Sequence, residues 1–344
     1  MRQVRIGFIG VGNVARALAR LLAEKRSALA AEYGAEILLA GVATRRWGFR
    51  VTPPAFGIEN LIASPEMPAA HPAAENVERW LKTARPDVVF EMSSLNPADG
   101  EPAFSYLRAA LQAGAHVVTA NKGPVAYGYS ALSALAAEKK RRFLFEATCL
   151  AGAPFFSLFR ETRPLCRLTE VRAIVNVTAN LVLRAMEEGM TFEEGVKKTQ
   201  EMGLAETDPS NDVDGWDAAV KISIVAQVLM GRPVLPADVR RTGIRGVTRD
   251  EMRAAAARGE VIRLVARAAR RADGGVEAAV APVRLGAEDA LRAAGHDGLI
   301  AECLTDTMPP TVIAARNISP VSTAYDVLAD FVTTLRQPTP WCPA

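Results

Sequence analysis

The chain has 344 residues, a formal net charge of +3, 49% hydrophobic and 23% charged residues. That composition buries sizeable cores and excludes intrinsic disorder, and the small charge, with no dense Lys/Arg run, excludes a nucleic-acid partner. The length suggests about two domains of roughly 150 residues each.

No apolar run reaches the length that spans a bilayer, so no membrane partner is expected. Met1-Arg2-Gln3-Val4-Arg5 runs directly into a strand pattern, and no signal peptide is expected. Cys149, Cys166, Cys303 and Cys342 are widely spaced with no CxxC pair, which indicates neither a zinc site nor a disulfide framework. The expectation is a soluble, reduced, cytoplasmic protein.

Val4 to Ile9 is a short apolar run of the buried-strand type. Gly10-Val11-Gly12-Asn13-Val14-Ala15 follows, and then a helical pattern through Val14, Leu18, Leu21 and Leu22. This is the G-x-G-x-x-A fingerprint in its required context. Gly10 permits a tight turn, Gly12 lets a pyrophosphate approach the backbone, and Ala15 lets the helix pack close to the sheet. Gly10, Gly12, Asn13 and Val14 are therefore candidate cofactor-binding residues, with helix amides meeting the phosphate charge.

The next strand, Ile37 to Ala43, ends in Thr44-Arg45-Arg46. An NAD site would usually place an acid there for the ribose hydroxyls. Arg45 and Arg46 suit a 2′-phosphate instead, so NADP is favoured with NAD the alternative; arginines merely solvating a loop are the plain reading. Residues 47–72 are rich in proline and alanine and read as an irregular connection. Helix and strand signals then alternate: Glu78 to Thr83 helical, Asp87 to Met92 strand, Pro102 to Ala113 helical, His116 to Ala120 strand, Tyr129 to Lys140 helical, Phe143 to Ala147 strand. Such alternation specifies an α/β domain, a doubly wound parallel sheet of the Rossmann type. Ligands bind beyond the carboxyl ends of such strands, which puts Ser93, Ser94, Asn121 and Lys122 on the cofactor side.

In the second half, Val171 to Val177 reads as a strand and Phe192 to Met202 as an amphipathic helix. The stretch from Ala205 to Lys221 gathers Glu206, Asp208, Asp212, Asp214 and Asp217 with a single lysine. Pro209 and the Ser210-Asn211-Asp212 run interrupt helical periodicity, so Glu206 and Asp208 sit on a loop. Periodicity resumes near Gly215, which places Asp217 and Lys221 four apart on one helical face, the spacing of an acid–lysine pair. Fixed acids facing such a pair could bind an amine and move a proton; a solvated helix cap with a surface ion pair explains the same pattern. Thr248-Arg249-Asp250-Glu251 is a capping box for a helix to Arg258. Val261 to Arg270 and Val276 to Leu285 read as antiparallel strands around an Asp273-Gly274-Gly275 turn. Met308 to Ile313 reads as another strand, and Tyr325 to Leu335 as a helix that packs back on the first domain. His71, His116 and His296 lack any triad or ligand spacing and read as surface or packing residues. The proline-rich tail from Gln337 reads as loosely ordered.

Several segments together resemble homoserine dehydrogenase. They are Gly10-Val11-Gly12-Asn13-Val14, His116-Val117-Val118-Thr119-Ala120-Asn121-Lys122, Glu146-Ala147-Thr148-Cys149-Leu150-Ala151-Gly152-Ala153-Pro154, and Gly203-Leu204-Ala205-Glu206-Thr207-Asp208-Pro209 with Asp212, Gly215, Asp217 and Lys221. The resemblance covers nearly the whole chain and is to the short form, without kinase or C-terminal regulatory domain. It implies NAD(P)-dependent interconversion of L-homoserine and L-aspartate 4-semialdehyde, and a place in threonine and methionine biosynthesis. It implies that Glu206, Asp212 and Thr178 hold the amino-acid substrate. It further implies that Lys122 and Lys221 act at the reacting oxygen, with Asp217 orienting Lys221. A monovalent cation such as sodium on Glu146 and the carbonyls of Cys149 and Ala151 is implied as well, as is a homodimer through the second domain.

The expected organisation is a dinucleotide-binding domain over 1–147, an α+β substrate and dimerisation domain over 148–318, and the C-terminal helix with its tail over 319–344. Two segments depart from the family pattern. Val177 and Ala179 replace a glycine and a hydroxyl residue in Asn176-Val177-Thr178-Ala179-Asn180, and the loop over 316–324 has no glycine. Both bear on substrate identity. The other readings are a paralogous dehydrogenase acting on a different amino or hydroxy acid, and a nucleotide-sensing protein that has lost catalysis; the intact Lys122, Asp217 and Lys221 argue against the last.

Overall fold

The computed structural model describes residues 1–53, 56–63, 73–295 and 297–336. The expectations for His71, His296 and the tail from Gln337 lie outside these residues, as does part of the 47–72 connection. No helix among the described residues is long and apolar enough to cross a membrane. The chain divides into two compact units, Met1–Gly152 with the C-terminal stretch that starts at Ser319, and Ala153–Ile318.

The first unit runs β1 Arg2–Ile9, α1 Asn13–Glu24, α2 Arg26–Tyr33, β2 Ala35–Thr44, β3 Gly48–Val51, α3 Ile58–Ala63, β4 Ala73–Ala74, α4 Val77–Ala84, β5 Val88–Glu91, α5 Ala103–Gln112, β6 His116–Thr119, α6 Lys122–Glu138 and β7 Phe143–Leu144. Its seven-stranded sheet has the order β4-β3-β2-β1-β5-β6-β7. Pairing is parallel from β2 through β7, with β3 and β4 added antiparallel at one edge. The strand order reverses between β1 and β5, the switch point at which open α/β sheets take ligands. Central strands are apolar throughout because both faces are covered. On one face Phe8, Val42, Phe90 and Val118 pack with Leu18 and Leu22 of α1 and with Val327 and Phe331 of the C-terminal helix, Pro320–Leu335. On the other, fully buried Trp80 of α4 lies against Gly41, where any Cβ would collide with the indole. Its Nε1 donates to the Arg50 carbonyl at 2.9 Å, so the ring is both packed and satisfied.

Three expectations for this unit change. The 47–72 connection is not wholly irregular, because Gly48 turns the chain at φ 66° and sends β3 back along β2, and α3 follows. The helix expected from Tyr129 starts at Lys122, where the Asn121 side chain accepts from the Gly123 amide. Pro124 falls in the first turn, where a missing N–H costs nothing. The strand expected through Ala147 stops at Leu144 and gives way to a 3-10 turn, Glu146–Thr148.

The second unit runs β8 Leu168–Ile174, α7 Val177–Glu187, α8 Phe192–Glu201, α9 Ser210–Val213, α10 Trp216–Met230, β9 Arg240–Arg241, α11 Arg249–Ala256, β10 Val261–Arg270, β11 Val276–Leu285, β12 Leu299–Thr305 and β13 Thr311–Ala315. Its six-stranded sheet has the order β13-β12-β8-β10-β11-β9. It is antiparallel apart from the short β11–β9 pairing. The β10–β11 hairpin closes on Arg270 opposite Val276, as the turn chemistry expects, and Thr248 with Glu251 forms the expected capping box of α11. Helix α10 is apolar nearly all round and buried; it opens at left-handed Gly215 and closes at left-handed Gly231.

Here too boundaries move. The strand expected to Val177 ends at Ile174, and Val177 is the first residue of α7. β12 was not expected. The strand expected from Met308 begins at Thr311. The C-terminal helix starts at Pro320, capped by Ser319, so half of the glycine-free 316–324 segment is helical.

Candidate active site

At the nucleotide end of the first unit, β1 leads into Gly10 with φ 87°, where a Cβ would lie 2.5 Å from the Met92 carbonyl oxygen. Only glycine fits that turn. A Cβ at Gly12 would meet nothing within 4 Å, so the backbone there opens onto free space. Gly12 is also the N-cap of α1 and provides no side-chain cap, which leaves the first-turn amides of Asn13 and Val14 for an anion. This geometry fits a dinucleotide pyrophosphate. Arg45 and Arg46 are exposed just past the carboxyl end of β2, and Ser94 is exposed after β5. The Ser93 amide and hydroxyl turn inward and donate to one oxygen of Glu91, at 2.9 and 2.5 Å.

Glu91 closes β5 and is fully buried. Its other oxygen accepts from the Thr119 hydroxyl at 2.8 Å, and that hydroxyl accepts from the Asn121 amide at 2.9 Å. Asn121 caps α6, so Lys122 is the first residue of a capped helix and not a residue on a free strand end. Burial pushes the Glu91 carboxyl above its usual range, against the opposing pull of its hydrogen-bond donors.

In the second unit, Lys221 Nζ lies 2.8 Å from Asp217 Oδ2, one helical turn away. It also donates to the Val175 carbonyl at 2.5 Å. Both side chains are about 15% exposed, 14% for Lys221 and 15% for Asp217, so this is a half-buried pair and not a solvated one. Asn176 completes it. Its Oδ1 caps α7 by accepting from the Ala179 amide at 2.8 Å, and its Nδ2 donates to Asp212 at 2.6 Å and to Asp217 at 3.0 Å. Asp212, Asp217 and Lys221 are thus brought together by one amide. Glu206 sits on an exposed loop, with its carbonyl held by Gln200 at 3.0 Å. The Thr178 hydroxyl donates to the Leu204 carbonyl at 2.7 Å, which ties that loop to α7.

Glu146 is buried in its 3-10 turn, with its amide donating to Asp330 of the C-terminal helix at 2.7 Å. Asp326, one turn earlier, accepts from the Gly152 amide at 2.7 Å. Among the described residues no group of three His, Cys, Asp or Glu is placed to share a metal ion. His116 behaves as a packing residue: Nδ1 accepts from the Arg142 amide at 2.9 Å, and burial with the charges of Arg141, Arg142 and Arg2 lowers its pKa to about 4. Cys149 and Cys303 are buried, and burial pushes the Cys303 thiol up to about 12.

A family model described as homoserine dehydrogenase matches residues 154–332, and one described as homoserine dehydrogenase, NAD binding domain, matches residues 10–146. The chain is 31% identical over 339 residues to the NAD(+)-dependent homoserine dehydrogenase of Pseudomonas canavaninivorans, covering 96% of each. The chain belongs to the homoserine dehydrogenase family. Solved homoserine dehydrogenases share its fold. A putative one from Archaeoglobus fulgidus superimposes with a TM-score of 0.85 at 30% identity, covering 96% of this chain and 98% of that one. A hyperthermophilic archaeal homoserine dehydrogenase mutant in complex with NADPH superimposes at 0.82 and 26% identity, covering 97% and 98%. Members of the homoserine dehydrogenase family are NAD(P)-dependent oxidoreductases, and this chain is one.

Two residues of this homoserine dehydrogenase that the sequence did not single out organise the local geometry. Asn176 left a trace, as an Asn three residues before an apolar helix face, but the β-branched residues around it favoured a strand. Glu91 left a clearer one: a carboxylate closing the run Val88-Val89-Phe90 in a covered sheet is costly to bury unless partners fill its oxygens.

Proposed function

We propose that the protein interconverts L-homoserine and L-aspartate 4-semialdehyde. The observation that carries the reading is the half-buried Lys221–Asp217 pair, fixed by Asn176 and the Val175 carbonyl, in a chain matched by the family along both units. The nicotinamide cofactor, when bound, gives or takes the hydride; the protein binds, orients and moves protons. Lys221 is the group that exchanges the hydroxyl proton, and Asp217 fixes its direction. Lys122, at the nucleotide end of the first unit, is the candidate for polarising the substrate oxygen. Glu206 and Asp212 receive the substrate ammonium, and Thr178 steadies the loop that carries Glu206.

Gly10, Gly12, Asn13 and Val14 would hold the pyrophosphate, with the exposed Ser94 toward the nicotinamide and Ser93 and Asn121 contributing by holding the loop and the helix start beside it. Arg45 and Arg46 support NADP, since two exposed guanidinium groups suit a 2′-phosphate. The NAD(+)-dependent relative makes NAD the competing choice. Glu146 with the carbonyls of Cys149 and Ala151 would take a monovalent cation such as sodium. Hard oxygen donors suit it, and the nearby buried Asp326 adds negative charge for it to offset. Dimerisation through the second unit, a cytoplasmic location and a role in threonine and methionine biosynthesis complete the reading.

Purified protein assayed with L-homoserine and either NADP or NAD tests it. Homoserine-dependent reduction is the expected result, faster with NADP. Tight cofactor binding without any homoserine-dependent reduction would sink the reading.

A further inference from the structure

The carboxyl ends of β5 and β6 are neighbours in a parallel pair, Glu91 opposite Thr119. A glutamate there could point into the nucleotide space; instead it is fully buried and spends both oxygens on the protein. One takes the Ser93 amide and hydroxyl, the other the Thr119 hydroxyl. Thr119 passes the connection to the Asn121 amide, and Asn121 Oδ1 passes it to the Gly123 amide at 3.0 Å. The two arms end on segments that also touch each other: a Cβ at Gly123 would lie 2.8 Å from the Gly100 Cα, so the loop after β5 packs directly on the first turn of α6.

From this we infer that Glu91 is a positioning residue, whose carboxylate joins the loop after β5 to the N-terminus of α6 and so fixes the direction of Lys122. A buried carboxylate is costly unless its lone pairs are filled, and here its donors are Ser93, in the loop after β5, Thr119, the last residue of β6, and the side chain of Asn121, the cap of α6. The arrangement uses that cost: neither segment can shift without leaving an unmet acceptor in the core. A glutamine in its place keeps the shape but must turn its amide toward either the two Ser93 donors or Thr119. The Ser93 amide cannot become an acceptor, so the amide faces Thr119, whose hydroxyl must then accept where it now donates and turn its proton to the Asn121 carbonyl, 3.5 Å away instead of 2.8 Å, which loosens the relay there.

The inference rests on the reading of Lys122 as a group that acts on the substrate oxygen. Full-length Glu91→Gln and, as a milder probe, Thr119→Val would be compared with wild type by thermal melting, cofactor titration, homoserine-dependent kcat across pH, and amide exchange over 92–95 and 119–125. The expected result is a folded protein with near wild-type cofactor Kd and a kcat lower by about 10- to 100-fold, the scale of a small misplacement of a reacting group. The lysine-dependent limb of the pH profile shifts, which loss of folded protein alone does not produce, and exchange quickens at Gly123. The double variant is no worse than the worse single one, because both break one chain of bonds. Wild-type kcat in both variants, or unchanged exchange in both segments, would overturn the inference. If the wild type itself has no homoserine turnover, the functional reading falls, and exchange alone decides Glu91: faster exchange supports it and unchanged exchange overturns it.

Discussion

Asn176 donates through one amide nitrogen to both Asp212 and Asp217, at 2.6 and 3.0 Å, while its carbonyl oxygen caps α7. The residue is only 4% exposed, so water does not replace it easily. Asn176→Ala removes a helix cap, about 1 kcal/mol, and leaves two carboxylates without their shared donor, for a total loss of about 2–3 kcal/mol. Chemical denaturation at neutral pH measures this. Asn176→Asp would set three carboxylates together and lose more, with part of the loss recovered on acidification. Wild-type stability in both variants would mean the amide is incidental.

Lys221 carries the proton-transfer assignment, so its removal is the sharpest kinetic test. Lys221→Ala is expected to lower kcat by about 10²- to 10⁴-fold, the range of general acid–base contributions, with cofactor Kd near wild type. Lys221→Arg should not restore activity, because a guanidinium stays protonated and cannot take up the hydroxyl proton. Asp217→Asn should fall between wild type and Lys221→Ala, since the lysine remains but loses its ionic partner. Turnover unaffected by Lys221→Ala would end the assignment.

The sequence made the fold class and the Lys221–Asp217 pair legible because both are local signals: a glycine fingerprint between strand and helix, and an acid four residues before a lysine. What it hid depends on packing. The first turn of α6 contains two residues of low helix propensity, Gly123 and Pro124, and only the Asn121 cap and the close approach of Gly100 make it helical. α7 opens on Val177, which reads as the end of the preceding strand until Asn176 is seen capping the helix. β3 lies in a segment whose proline and alanine content reads as irregular, yet Gly48 reverses the chain there. Glu91 and Asn176 organise their surroundings through partners 28 to 41 residues away, a separation that no local pattern encodes.

Gly10 tests the nucleotide end. A Cβ there faces the Met92 carbonyl at 2.5 Å with φ at 87°. A left-handed conformation costs a non-glycine residue about 1–2 kcal/mol before the collision is counted. Gly10→Ala is therefore expected to weaken cofactor binding by at least about tenfold, as the turn shifts away from its phosphate-binding form. Cofactor titration by fluorescence reads this directly, and an unchanged Kd would show that the turn does not hold the cofactor.

Asp326 gives a pH prediction with a definite sign. Its pKa is raised from 3.8 to about 7, first by burial and then by the nearby Glu146 charge, with the Gly152 amide pulling the other way. Between those values the folded chain keeps a proton that the unfolded chain has released, so stability falls as pH rises through that window and the penalty is complete above about pH 7. Three units correspond to a penalty on the order of a few kcal/mol. Asp326→Asn retains an acceptor for the Gly152 amide and removes the titration. Relative to wild type it should therefore gain more stability at about pH 8 than at about pH 5. Urea unfolding at both pH values measures the difference. Sodium should shrink the wild-type penalty if it sits at Glu146, because a nearby cation favours the ionised Asp326, and a bulky organic cation at the same ionic strength should not. Equal gains at both pH values would mean that Asp326 does not titrate in the folded chain.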